Sequence, residues 1–87
     1  MLDDDIKKAV EGYNLTLEKE ILIENTAGVQ ADYFRHLEKN KIDILSQNEF
    51  AKNAMYLSRL QSAILMAESF DEVFALKDKI SELKSLI

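Results

Sequence analysis

His36 and Asp32 are the first candidates for chemistry in this chain, because a spacing of four residues puts an imidazole and a carboxylate on one face of a helix. Two ligands fall short of the three or four protein ligands of an ordinary zinc site, and the chain has no cysteine and no second histidine to supply the rest. Metal binding is therefore not expected, and His36 reads as an edge residue. The pairs Asp3/Asp5, Glu18/Glu20 and Asp71/Glu72 have the residue types of general acid/base catalysis. None comes with a nucleophile, a glycine loop or a convergent polar set, so they read as caps and solvated faces. A chain of 87 residues has a small core with little room for the roughly 300 Å³ or more of a small-molecule pocket. No enzyme activity and no cofactor is expected.

The elements that would position any site are helices. The chain has no proline and two glycines, and it is rich in Leu, Ile, Lys, Glu and Ala, which removes most turn chemistry. Its 47 % hydrophobic and 31 % charged content is that of a folded chain rather than a disordered one. The expectation is an all-α single domain over 1–87 with about five helices, near 3–12, 17–25, 29–40, 46–67 and 70–86. Leu2, Ile6, Ala9, Val10 and Tyr13 give the first its apolar spacing, with Asp3, Asp4 and Asp5 at its start. Gly12, Tyr13 and Asn14 interrupt it, and Thr16 then caps a second helix carrying Leu17, Ile21, Leu22 and Ile23.

A break at Asn25 to Gly28 separates the second helix from a third, which carries Val29, Tyr33, Phe34 and Leu37 and stops at Lys39-Asn40-Lys41. Ser46-Gln47-Asn48-Glu49 and Ser69-Phe70-Asp71-Glu72 share the Ser-x-x-Glu pattern, in which hydroxyl and carboxylate reciprocally satisfy free backbone donors at a helix start. They open the fourth and fifth helices, read together as a C-terminal two-helix hairpin. The fourth is apolar around most of its circumference, and the fifth carries a seam of Val73, Leu76, Ile80, Leu83 and Ile87 that resembles two heptads of a coiled coil.

The stretch Ala27-Gly28-Val29, with Tyr33, Leu37, Glu38 and Lys41 after it, resembles the second and third helices of the lambda-repressor and Cro-like helix–turn–helix family. Residues 6–16, IKKAVEGYNLT, are similar to that family's first helix and the turn after it. The resemblance covers residues 6–41 and implies a DNA-binding regulator whose third helix lies in the major groove. On this chain it would place Gln30, Ala31 and Asp32 at base edges, with Arg35 and His36 one turn on and Lys39, Asn40 and Lys41 at the phosphate backbone. Three bases per subunit give weak counterion release, so a homodimer is implied, built on the apolar excess of the last two helices. Leu60, Ile64, Val73, Leu76, Ile80, Leu83 and Ile87 are the interface candidates, for a dimer or for another partner.

A second reading stands beside the first. The same Ala27-Gly28-Val29 reads as a plain break between bundle helices, and the sequence leaves open whether the flanking segments cross or run on as one rod. The formal net charge of −5 works against phosphate. On this reading the chain is a helical protein-interaction module: an adaptor, a chaperone, or a phage- or plasmid-encoded inhibitor that blocks a host protein with a basic surface. Its start is acidic where a secretory signal would be basic, and no apolar run approaches the ~20 residues of a membrane span, so a cytoplasmic protein without membrane attachment is expected.

Overall fold

In the computed structural model, which describes residues 2–87 with side chains from Asp4 onward, the helical expectation holds and the division into helices changes. The apolar place given to Leu2 and the cap given to Asp3 lie outside the described side chains. Three helices form: α1 (Leu2–Lys39), α2 (Glu49–Met66) and α3 (Phe70–Ser85). The three segments expected at 3–12, 17–25 and 29–40 are one continuous rod of 38 residues.

Neither expected break forms. Gly12 and Gly28 take negative φ and stay helical, at a local cost of roughly 1 kcal/mol each relative to Ala. Across Gly28 the spacing Leu22, Thr26, Val29, Tyr33, Leu37 forms an unbroken buried stripe, and its burial outweighs one glycine. Thr16, expected as a cap, lies within the helix, and its hydroxyl donates back to the Gly12 carbonyl at 3.0 Å. The hydroxyl of Thr26, which is buried, donates to the Leu22 carbonyl at 2.6 Å.

The end of α1 is built by Lys41, which adopts φ 56°. Its N–H donates to the Glu38 carbonyl at 3.2 Å and that of Ile42 to the Leu37 carbonyl at 2.9 Å. This is the Schellman arrangement, with lysine at the left-handed position that glycine ordinarily takes. Further on, the expected Ser46 cap is displaced by two residues: Asn48 caps α2, its Oδ1 accepting from the Phe50 N–H at 2.8 Å, and Ser46 Oγ accepts from the Asn48 N–H. At α3 the Ser69 half of the expected box forms, its Oγ accepting from the Glu72 N–H at 3.2 Å, while the Glu72 carboxylate accepts from the N–H of Glu68, one residue before the cap, at 2.9 Å.

Residue pairings set the directions of the helices. Gln30 bonds Ala54, and Lys19 bonds Leu65 and Ala67, so α2 runs antiparallel to α1; Tyr33 bonds Leu83 while Leu22 and Val73 border one crevice, so α3 runs parallel to it. The core of this up-down-up bundle is Leu22, Val29, Tyr33 and Leu37 from α1, Ala51, Ala54, Leu57, Leu60 and Ile64 from α2, Ala67, and Val73 and Ile80 from α3. The molecule measures 59 × 18 × 17 Å. Its long dimension is close to the ~57 Å of a 38-residue helix. Because α2 and α3 are less than half as long as α1, the first turns of α1 overhang them.

Candidate functional site

The residues that the helix–turn–helix resemblance assigned to DNA lie along the second half of α1, and most are engaged within the fold. Gln30 is half-buried between α1 and α2. Its Nε2 donates to the Ala54 carbonyl at 2.9 Å and to Ser58 Oγ at 2.6 Å, while its Oε1 accepts from Gln61 at 3.1 Å. Asp32 and Arg35 form an ion pair with each other. The His36 ring lies 4.4 Å from that of Phe50, tilted by 42°, so the sole histidine packs on α2. The Asn40 amide donates to the His36 carbonyl at the end of the helix, and Lys41 holds the left-handed turn. Lys39 is exposed. With α1 a single rod, no second helix crosses to present residues 30–41, and the helix–turn–helix is not formed.

The seven interface candidates are likewise mostly internal. Leu60, Ile64, Val73 and Ile80 are buried in the core, and Leu76 and Leu83 pack against it half-buried. Ile87 is the exposed member of the set. The heptad-like seam of α3 is the face turned toward α1 and α2, so it closes the bundle instead of presenting itself to another molecule.

Among the described residues no group of three or more His, Cys, Asp or Glu side chains comes together. A groove of about 600 Å³ runs between α1 and α3, open along its length, with Glu24 and Asp32 on one wall and Lys77 and Lys84 on the other. It is a surface crevice with a charged lining. Burial pushes the Tyr33 phenol above the ordinary tyrosine value, a hydrogen bond with Asn53 opposes this, and Glu49 adds to it. Its hydroxyl donates to the Leu83 carbonyl at 2.5 Å, a link within the bundle.

What the bundle leaves uncovered is apolar. Ile6, Val10, Tyr13, Leu17 and Ile21 are 59, 52, 69, 43 and 46 % exposed, and they follow one another at helical spacings of four, three, four and four. At 3.6 residues per turn this stripe lies about half a turn round α1 from the buried stripe of Leu22 to Leu37, so it faces directly away from the bundle. Every described side chain from Asp4 to Asn14 is exposed. Farther along, Lys19 Nζ donates to the carbonyls of Leu65 at 2.8 Å and Ala67 at 2.9 Å, fixing the end of α2 to the inner side of α1. From Leu15 onward the inner side of the helix that carries the stripe is anchored to the bundle. Exposed apolar rows of this kind occur at protein and membrane contacts, in ligand grooves and on aggregation-prone surfaces.

Sequence reasoning gave Ile6, Val10 and Tyr13 to the apolar spacing of one helix and Leu17 and Ile21 to that of another, with an interruption at 12–14 between them. The signal was present, since the spacing from Ile6 to Ile21 runs through the supposed break without a change of phase.

The flanks of the stripe are acidic: between Asp4 and Glu24 there are six carboxylates and three lysines, one of them the Lys19 already engaged with α2. Among the described residues no helix is long and apolar enough to cross a membrane.

Comparison with known families bears on the choice between a DNA surface and a protein surface. No curated protein and no solved structure matches the chain. A family model, that of the bacterial epsilon antitoxin, matches residues 11–87, which includes Tyr13, Leu17 and Ile21 of the outer stripe and all of α2 and α3. This match overturns the resemblance to the lambda-repressor and Cro-like family, in accord with the continuous α1. The chain belongs to the bacterial epsilon antitoxin family.

Proposed function

We propose that this chain is a non-enzymatic inhibitor that binds a protein toxin through the outer stripe of α1, laying Ile6, Val10, Tyr13, Leu17 and Ile21 into an apolar groove of its target. The observation that carries this reading is the stripe itself, apolar, continuous and turned away from the bundle in a chain of an antitoxin family. An amphipathic helix with anchors at spacings of three and four residues is a recurring way to occupy a groove, and a helix already folded loses little conformational entropy on binding. The acidic flanks suit a target whose groove is rimmed by lysine and arginine, where complementary charge speeds encounter and orients the helix.

The test is co-expression with a toxin of the class that epsilon antitoxins neutralise, scored by growth, together with calorimetric titration of the purified pair. Leu17→Glu and Tyr13→Glu are expected to abolish protection and to weaken binding by about 30-fold or more, as for anchor residues at an interface. Phe34→Glu, at an equally exposed position outside the stripe, should leave both unchanged. Folded stripe variants that still neutralise the toxin would refute the reading.

A further inference from the structure

The outer stripe of α1 runs, at Ile21, into the groove between α1 and α3. We propose that this groove is the second half of the docking surface and receives an extended segment of the same toxin, with an apolar side chain seated beside Ile21 and charged side chains meeting the two walls. The inference rests on the stripe being the docking face.

The α1 side follows from helix geometry. A spacing of four residues overshoots one turn by about 40°, so the steps from Tyr13 to Leu17 and from Leu17 to Ile21 carry the stripe round toward α3. Ile21 accordingly borders the same crevice as Val73 and Lys77 of α3. The next places on that line, at spacings of four, three and four, are Asn25, Gly28 and Asp32, all on the α1 wall of the groove of about 600 Å³. Gly28 brings no side chain, and a Cβ placed there would meet nothing within 4 Å. The wall is therefore open where a bulky residue would fill it.

Helix α3 supplies a matching line. Phe70, Phe74, Lys77, Ser81 and Lys84 succeed one another at spacings of four, three, four and three, which puts them on one side of the helix. Phe70 borders a crevice with Gly12 and Leu15 of α1, and Lys77, Ser81 and Lys84 line the groove farther along, so the line runs beside α1 for the length of α3. Phe74 is 48 % exposed, with its ring 6.2 Å from that of Phe70. Both lines change character at one level, where Ile21 meets Lys77: Leu17 and Ile21 give way to Glu24 and Asp32, and Phe70 and Phe74 give way to Lys77 and Lys84.

The charges of the two walls are held apart. Asp32 pairs with Arg35 of its own helix, and among the described residues Glu24, Lys77 and Lys84 make no ion pair. A segment that brings a cation toward Glu24 and a carboxylate toward Lys77 and Lys84 complements both walls, while Leu22, Val29 and Ile80 give it an apolar floor. The shape decides the class of occupant. A small molecule is held where most of its surface is enclosed, whereas an open furrow alongside an exposed apolar helix face suits a stretch of polypeptide.

The experiment is calorimetric titration of the purified toxin with variants of the full chain, each checked by thermal unfolding. Gly28→Leu fills the groove from its α1 wall. Leucine is the better helix former and its Cβ has room, so the melting temperature should hold or rise, while toxin binding should weaken by about 30-fold or more. Gly28→Ala adds one methyl and should bind within about 3-fold of the unaltered chain. Phe74→Glu, and Lys77→Glu combined with Lys84→Glu, reach the same groove from α3 and should each weaken binding by about 10-fold or more. The chain has no cysteine, so Ser81→Cys places a single thiol in the groove. Its alkylation should slow when toxin is in excess, and that of Phe34→Cys should not.

Gly28→Leu and α3 variants that fold and bind toxin as tightly as the unaltered chain would overturn the inference, as would a Ser81→Cys thiol that toxin leaves unprotected. If Leu17→Glu abolishes binding in that same set, the stripe stands and the groove alone is refuted. If Leu17→Glu binds normally while Gly28→Leu does not, the stripe reading fails and its continuation into the groove fails with it.

Discussion

The hydroxyl of Tyr33, in the middle of the buried stripe of α1, donates to the carbonyl of Leu83 near the end of α3 at 2.5 Å. The donor comes from the centre of the chain and the acceptor from its last helical turns, so this bond closes the bundle at the end remote from the overhang. Leu83 is among the carbonyls that a helix end leaves without a complete set of partners, and Tyr33 reaches it while its ring remains in the core.

Tyr33→Phe keeps the ring and removes that bond. A loss of about 1 kcal/mol in unfolding free energy is expected at neutral pH, read from urea titration. The alkaline behaviour should change too. Burial raises the phenol's pKa in the folded state, so the folded chain holds the proton more tightly than the unfolded chain does. The associated stability is present below pH ~10 and is lost as pH rises through the folded value, whereas Tyr33→Phe should be without that part of the alkaline decline.

Gln30 and Arg35 invert the roles expected from the sequence. Gln30→Ala removes three bonds across the α1–α2 contact and should cost about 1–2 kcal/mol, since Ala54 and Gln61 lose partners in a partly buried place. Arg35→Ala breaks an exposed pair with Asp32 and should change stability by less than about 0.5 kcal/mol. Comparing the two by thermal unfolding checks the assignment; equal effects would contradict the interface role of Gln30.

Lys41→Gly tests the end of α1. A lysine at φ 56° carries a local penalty that glycine does not, and the turn asks nothing of the lysine side chain. A stabilisation of about 0.5–1 kcal/mol is expected by denaturant titration.

Gly12→Ala addresses the overhang. A methyl group there meets nothing within 4 Å, so the change should act only through helix propensity, by roughly 1 kcal/mol. Hydrogen exchange is the measurement: amides of residues 6–14 should slow in the variant while those of Val29 to Leu37 remain as they were. An unchanged rate in 6–14 would mean that Gly12 does not limit helix formation there.

Leu57→Ala and Val10→Ala should separate core from surface. Leu57 is wholly buried, and its truncation should cost about 2–5 kcal/mol; Val10 is 52 % exposed, and its truncation should cost less than about 0.5 kcal/mol.

The sequence by itself determined the helical class, the cap at Ser69 and the apolar periodicity of every segment, because these follow from local propensity and from side chains within one or two turns. It also contained the phase of the outer stripe, which a reading broken at Gly12 divides in two. Only the tertiary structure decided that Gly28 remains inside one rod, since the penalty of a helical glycine is local while the burial of Leu22, Val29, Tyr33 and Leu37 that outweighs it needs α2 and α3 in place. It likewise decided which apolar faces were left over. The seams of α2 and α3 have the same residue types as the stripe of α1, but two short helices can cover only one side of a helix twice their length, and the side and the end they leave uncovered are those of Ile6 to Ile21.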